Sequence, residues 1–510
     1  MHIHVVGVSG TGMGSLAGLL VELGHRLTGS DVAFDPPMGP ALRDWGVSCL
    51  QGFDAAHIEP APDLIVVGNV CRRDNVEVVR ALELGLPYTH IAGALQRFVL
   101  ANTSPLVVAG THGKTTTSAL AAFLLDASGL QPGFLIGGIP NNFARGFRAA
   151  RSQALRRLPR AGQPQRGVAF VVEGDEYDTA FFEKTAKFLH YSADVAIVTS
   201  IEHDHVDIYP TPEAYLSAFE SFVAGVPETG LIVANAADAS TVRAVQQTAQ
   251  APVTWYALED EPTHGVAPHW LAAPAGASPR AQAFDLYAGG VLAGRFALPL
   301  PGRHNLSNAT AAIAAAAEGY GVPLSSLAPA LAGFQGVRRR QELLGTPRGV
   351  HVYDDFAHHP TAVEKTLQGL RAVHPRARLF AVFEPRSATA CRNLHQQKYA
   401  DSFDAADTVL LAPLGRSGLP PEERLDLDRL VSDLVLRGKA AARFGSHEAI
   451  VECLREQAGA GDVIALLSNG AFGGIHQMLL GALEAPPATD HVAVQPAHAS
   501  TTQRAKGESS

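Results

Sequence analysis

The stretch that most constrains the fold is PLVVAG (105–110), which passes through Gly110-Thr111-His112-Gly113-Lys114-Thr115 into an alanine- and leucine-rich run, Thr115–Ala127. An apolar strand that turns on glycines into a helix presents backbone N–H groups and the positive helix end to one point, which is a cradle for phosphate. In such a cradle Lys114 would reach the terminal phosphates and the Thr115 hydroxyl would sit on Mg²⁺. The common pattern places its first glycine at position 108, which is Val108 here, so the loop is the shorter G-x-x-G-K-T. A cradle of this kind belongs to a parallel α/β sheet, and the rest of the chain has to be compatible with one.

It is. HIHVVGV (2–8), HRLTGSD (25–31) and DLIVVGN (63–69) read as strands, with a helix over Ser15–Gly24 between the first two. VAFVVEGDEYD (168–178) and ADVAIVTS (193–200) are apolar runs that end in polar clusters. The rhythm restarts after FQGVRRR (334–340) with GVHVYDD (349–355), RLFAVFEP (378–385), TVLLAP (408–413) and DVIALLSNG (462–470). Strand–helix–strand spacing of this kind predicts parallel sheets with right-handed crossovers. For 510 residues, at about 150 per domain, the expectation is three successive α/β domains over 1–102, 103–337 and 338–484, followed by a tail, 485–510. The arginine-rich stretch 149–166 reads as a solvated insertion and the Pro/Ala/Ser/Thr-rich tail as unstructured.

Composition removes other classes. A formal net charge of −9 argues against broad binding to nucleic acid or anionic membranes. No apolar run reaches the roughly 20 residues of a membrane-spanning helix, and the N-terminus lacks a basic, then apolar, signal pattern. Cys49, Cys71, Cys391 and Cys453 are far apart, which fits reduced thiols and disfavours a zinc ribbon. A cytoplasmic multi-domain enzyme or binding protein is expected.

Further candidates lie at strand ends, where α/β sheets bind ligands. Glu173, Asp175, Glu176 and Asp178 form one acidic cluster, and Glu202, His203, Asp204, His205 and Asp207 another. Both could face Lys114 and supply the one or two carboxylates that Mg²⁺ takes. Gly7, Gly10, Gly12 and Gly14 open a helix after the first strand, and Asp31 ends the next strand where a ribose-binding acid belongs. This predicts a diphosphate compound in the first domain without naming it. GRHNLSN (302–308) precedes an alanine helix, and its amides could read a nucleobase edge or cap the helix. YDDFAHHP (353–360) and EPRSAT (384–389) end strands of the third domain.

Taken in order, GTHGKTT (110–116), EGDEYD (173–178), IEHDHVD (201–207), GRHNLSN (302–308), the arginine run 338–340 and DDFAHHP (354–360) resemble the Mur ligase family of ATP-dependent amide-forming enzymes. The resemblance implies a Rossmann-like N-terminal domain for a UDP-sugar, a central P-loop ATPase domain and an α/β C-terminal domain. It implies that Gly10, Thr11, Gly12, Met13 and Gly14 cradle the UDP diphosphate, with Ser30 and Asp31 near the uridine. Gly110, Thr111, His112, Gly113, Lys114, Thr115 and Thr116 would hold ATP, joined by His304, Asn305, Asn308 and Arg339. Thr115, Glu173 and His205 would hold Mg²⁺. Lys114, His205, Asp355 and His358 would act at the reacting groups, and Arg386 with Ser387 would orient an incoming peptide.

Within the family, DPPM (35–38), EPRSAT and SNGAFGGIH (468–476) favour the recycling branch, which joins UDP-N-acetylmuramate to the tripeptide L-Ala-γ-D-Glu-meso-diaminopimelate. The branch that adds free L-alanine in de novo peptidoglycan synthesis is the alternative. Departures from the family pattern are the lack of any lysine between Lys187 and Lys365, Ser200 in place of asparagine, and Ala388 in place of asparagine. The first removes a candidate for the carbamoylated lysine of other members, and the last bears on acceptor choice. Outside the class stand a nicotinamide-dependent oxidoreductase, which leaves Lys114 and the acids idle, and a non-catalytic UDP-sugar sensor, which needs no ATP machinery.

Overall fold

The computed structural model describes residues 1–151, 167–277 and 281–484. Most of the segment 149–166 and all of the tail, both expected to be unstructured, lie outside the described residues.

Among the described residues three large sheets follow one another along the chain, with a small antiparallel pair, Asp178–Ala180 and Glu183–Ala186, beside them. The first has five parallel strands in the order Ser48–Gln51, Arg26–Asp31, His2–Val6, Leu64–Val67 and Tyr88–His90. Strand order reverses at His2–Val6, so the loop leaving that strand opens into the crevice where such sheets take ligands. The helix after it runs Thr11–Glu22, four residues earlier than the sequence reading placed it. Thr11, Gly12, Met13 and Gly14 therefore form its first turn, with Gly10 as the capping residue. They are not a free glycine loop.

The second sheet has ten strands. Its parallel centre holds Leu231–Asn235, Val195–Val198, Ser104–Ala109 and Ala169–Gly174 side by side. Continuous burial on both faces explains their unbroken Val/Ile/Ala composition. At one edge the meander Trp270–Ala277, Gln282–Ala288 and Val291–Leu298 pairs antiparallel. Its strands lack the continuous apolar runs that mark the central ones, and the sequence reading does not contain it. Gln282–Ala288 alternates buried with half-buried residues because only one of its faces meets the core. The third sheet has six strands: five parallel, and Glu342–Gly345 antiparallel at the edge.

The two inter-domain boundaries differ in kind. Between the first and second sheets the core is continuous and apolar. Phe147 meets Trp45 edge-on, with ring centroids 4.7 Å apart. It also lies so close to Gly18 that an added Cβ there would stand 2.3 Å from its Cζ. Between the second and third units the contacts are polar: Arg340 to Thr115, Thr361 to Glu202, Thr389 to Asp204, and Asn305 to Gln341. Among the described residues no helix is long and apolar enough to cross a membrane.

Candidate functional site

The loop between Ser104–Ala109 and the helix Lys114–Ala127 depends on both of its glycines. Gly110 has φ +142°, and an added Cβ would sit 2.0 Å from Thr199 Oγ1. Gly113 caps the helix at φ +82°, where an added Cβ would sit 2.4 Å from Asn308 Oδ1. Gly113→Ala is therefore expected to cost about 1–3 kcal/mol of stability and to displace Asn308. Urea unfolding of the variant beside wild type would read that loss, and an unchanged midpoint would show the loop to be relaxed. The loop is also tied to the strand beside it: Thr111 N donates to Ser200 O (2.8 Å), and Thr199 Oγ1 donates to His112 O (2.6 Å).

Lys114 folds back over the loop. Its Nζ donates to Gly110 O (2.5 Å) and pairs with Glu176 at 2.9 Å. Glu176 is almost fully buried between Lys114 and His205, whose Nε2 is 3.2 Å away. Burial alone would raise the Glu176 carboxyl, but Lys114 and His205 outweigh it and hold it down at about 2. Burial would lower His205, and the same pairing with Glu176 raises it instead. Glu173 lies at the end of the strand that leads into Glu176, next to the strand of the phosphate loop. It accepts from Thr115 Oγ1 (2.7 Å) and from Gly137 N (2.8 Å). Burial, reinforced by Asp175, pushes the Glu173 carboxyl up. A buried carboxylate and a hydroxyl meeting beside a phosphate cradle are hard oxygen donors of the kind Mg²⁺ takes, and a cation there would relieve the cost of keeping Glu173 charged. His205, expected beside Glu173 at the metal, is instead paired with Glu176.

The nucleobase candidates are already engaged. Asn305 Nδ2 donates to Pro301 O (2.7 Å) and to Gln341 Oε1 (3.1 Å), and Asn308 Nδ2 donates to Asn305 Oδ1 (3.3 Å). Together with the approach of Asn308 to Gly113, this makes the pair a brace between the phosphate loop and the third domain. Burial, with Lys365 and His112 nearby, pushes the His304 imidazole down to about 3.

In the third domain the arginine run resolves unexpectedly. Arg339, expected at ATP, points into its own domain. It donates to Ser468 O and Gly470 O (both 2.7 Å) and lies 3.2 Å from Asp354. Its neighbour Arg340 crosses to the phosphate loop, donating from Nη2 to Thr115 Oγ1 at 2.9 Å. The sequence reading missed Arg340, because three adjacent arginines carry no signal of which one faces the loop. Asp355 accepts from the amides of Gln341 (2.8 Å) and Ala357 (2.7 Å), so it shapes the turn after its strand. His358 Nε2 is 3.9 Å from Asp204 Oδ2. Arg386 is exposed, its stem lying against Gly415 and Gly470. The Ser387 hydroxyl is turned inward to accept from Ala390 N (3.0 Å).

The first domain corrects two expectations. Ser30 is fully buried, and its hydroxyl donates to Glu77 Oε2 (2.5 Å), so its side chain does not reach a ligand crevice. Asp31 accepts from the amides of Ser9 (2.8 Å) and Val32 (2.7 Å), which makes it a brace of the glycine turn more than a free acid. Gly10 has no side chain with which to cap the helix that follows, and no acid stands in the first helical turn. That end can receive an anion.

Comparison with known proteins covers most of the chain. Family models described as "Mur ligase family, catalytic domain", "Mur ligase middle domain" and "Mur ligase, glutamate ligase domain" match residues 2–103, 108–316 and 339–470. The UDP-N-acetylmuramate–L-alanyl-γ-D-glutamyl-meso-2,6-diaminoheptandioate ligase of Escherichia coli K12 is 38% identical over 484 residues, 95% of this chain and 98% of that one. The UDP-N-acetylmuramate–L-alanine ligase of Paenarthrobacter aurescens is 34% identical over 485 residues, covering 94% and 97%. The crystal structure of a murein peptide ligase from Psychrobacter arcticus superimposes with a TM-score of 0.69 at 35% identity, covering 96% of this chain and all of that one.

Proposed function

Since the chain belongs to the Mur ligase family, we propose that it joins UDP-N-acetylmuramate to L-alanyl-γ-D-glutamyl-meso-diaminopimelate at the expense of ATP, as an acid–amino-acid ligase of peptidoglycan recycling. The observation that carries the chemistry is the meeting of Lys114, Thr115 and Glu173 with Arg340 from the next domain. The acceptor rests on the full-length likeness to the tripeptide ligase of Escherichia coli.

In this reaction the lactyl carboxylate attacks the γ-phosphate of ATP, giving an acyl phosphate and ADP. The alanyl amine then attacks the acyl carbon, and phosphate leaves. Phosphoryl transfer asks for positioning and charge neutralisation, with no covalent nucleophile on the protein. Lys114 would exchange Glu176 and the Gly110 carbonyl for the ATP phosphates. The amides of the loop and helix start would hold the β- and γ-oxygens. Thr115 and Glu173 would hold Mg²⁺, which supplies charge neutralisation at the γ-phosphate. Glu176 would stay paired with His205 meanwhile and would take up Lys114 again when nucleotide leaves. Arg340 brings a second positive charge to the same point only when the third domain is docked. That docking would couple water exclusion to completion of the site. Arg386, exposed beside Gly415 and Gly470, would receive a carboxylate of the peptide.

The test is ADP release with Mg²⁺, ATP and UDP-N-acetylmuramate, offering tripeptide or L-alanine. The tripeptide is expected to win in kcat/KM by at least about a hundredfold. Preference for free alanine would retain the ATP chemistry and overturn the acceptor.

A further inference from the structure

A second cluster of donor atoms lies outside the Lys114–Glu173–Glu176 centre, bridging the middle and C-terminal domains. His112 Nε2 is 2.9 Å from Glu202 Oε2, and His359 Nδ1 is 3.7 Å from the same oxygen. One donor atom from each of the three residues falls within 4.8 Å of the others. His359 is only 2% exposed, yet neither of its ring nitrogens has a hydrogen-bond partner. The ring of His395 packs edge-on against it at 4.7 Å, and His395 Nε2 is likewise buried without a partner. Each unmade hydrogen bond on a buried polar group costs about 1–3 kcal/mol, so a buried imidazole with two of them calls for a ligand.

We propose that His112, Glu202 and His359 form a binding site for a borderline-soft divalent cation of the zinc class, separate from the Thr115–Glu173 position. Two imidazoles and one carboxylate match a three-residue zinc set that leaves a fourth position for water. Mg²⁺, which takes oxygen donors and sheds its water reluctantly, is a poor match for the same set. Metal–ligand bonds of about 2.0–2.1 Å place tetrahedral donors roughly 3.3 Å apart, so the observed 2.9 and 3.7 Å need adjustments of only a few tenths of an ångström. The carboxylate is already oriented: Thr361 Oγ1 donates to Glu202 Oε2 (2.7 Å), and Glu202 N donates to Thr111 Oγ1 (2.9 Å). An ion here would tie His112 of the phosphate loop to the start of the helix Pro360–Val373 and so clamp the two domains together.

The inference stands on the donor geometry and does not depend on the ligase reading. Its test is titration of the nucleotide-free full chain with Co²⁺ in excess Mg²⁺, followed by visible absorption, with Zn²⁺ as competitor. One Co²⁺ per chain is expected, with the spectrum of imidazole ligation, displaced by Zn²⁺ and unaffected by Mg²⁺. His359→Ala and Glu202→Gln should each weaken binding on the order of a hundredfold, with His359→Gln as a second variant and urea midpoints as the check on folding. No spectrum, binding undiminished in folded variants, or displacement by Mg²⁺ would each overturn the site.

Discussion

Lys114→Met lowers kcat by about two to three orders of magnitude and leaves the Kd for UDP-N-acetylmuramate within about twofold. That is the expected result of removing the one lysine, among the described residues, whose ammonium folds over the phosphate loop. Its ammonium is held over Gly110 O and Glu176, inside the loop, whereas Arg340 reaches only Thr115 from the neighbouring domain and leaves the Lys114 position unfilled. The helix start expected to receive the UDP-sugar lies on a different sheet, which is why donor binding should survive. Lys114→Met also strands Glu176, which is 1% exposed and would keep only His205 as an ionic partner. Some loss of stability is therefore expected alongside, and kcat has to be measured below the variant's own melting range. The decisive pair of measurements is ADP release at saturating substrates and calorimetric titration with UDP-N-acetylmuramate. Equal losses in both would show that the two sites are not separate.

The second large effect concerns a residue far from the chemistry. Glu77 is fully buried in the first domain. Its carboxylate accepts from Ser30 Oγ (2.5 Å) and Asp54 N (3.2 Å), and it lies 2.7 Å from His57 Nδ1 and 3.3 Å from His4 Nε2. Glu77→Ala removes the hub and leaves Ser30 and His4 buried without it. The expected cost is about 3–5 kcal/mol, against under about 0.5 kcal/mol for an exposed control such as Glu83→Ala. The acid dependence follows from the same contacts. Burial would raise the Glu77 carboxyl, but the hydrogen bonds from His4, Ser30 and His57 prevail and lower it in the folded state. A carboxyl lowered on folding contributes stability that is complete above its unfolded pKa of about 4.3 and is lost as pH falls through the folded value. Wild type should therefore lose stability between pH 5 and 3, each taken as an approximate bound, more steeply than Glu77→Ala. Parallel acid profiles from chemical denaturation would remove Glu77 as the linked group.

These two residues also mark how far the sequence could be read. The Lys114 loop was legible because its chemistry is spelled in consecutive residues: glycines where φ is positive, lysine at the turn, threonine one step into the helix. Glu173 was legible because a parallel sheet brings its strand end to the same edge. Glu77 was not, because its partners come from positions 4, 30, 54 and 57, and no local pattern announces a buried carboxylate. Ser30 was misplaced for the same reason: the family resemblance implies a position near the uridine, and only packing shows the hydroxyl turned to Glu77. Arg339 and Arg340 were inseparable in sequence. The backbone decides between them, since Arg339 takes φ +60° and its guanidinium swings onto Ser468 and Gly470, leaving Arg340 to reach Thr115. The antiparallel meander was hidden by its alternation, because half-buried edge strands lack the continuous apolar run that marked the central ones.

The contrast between the two boundaries bears on how such a chain can be recombined. The matches to known families divide it into three segments, with joints near residues 103–108 and 316–339. At the later joint the partners are hydroxyls, carboxylates and guanidinium groups, which any relative with the same polar residues could supply. At the earlier joint, Phe147 fills the space that Gly18 leaves open against Trp45. A graft there would exchange half of a shared interior for one shaped to another partner. The first and second segments are thus fitted to each other as a pair, while the third meets its neighbour through contacts that tolerate exchange.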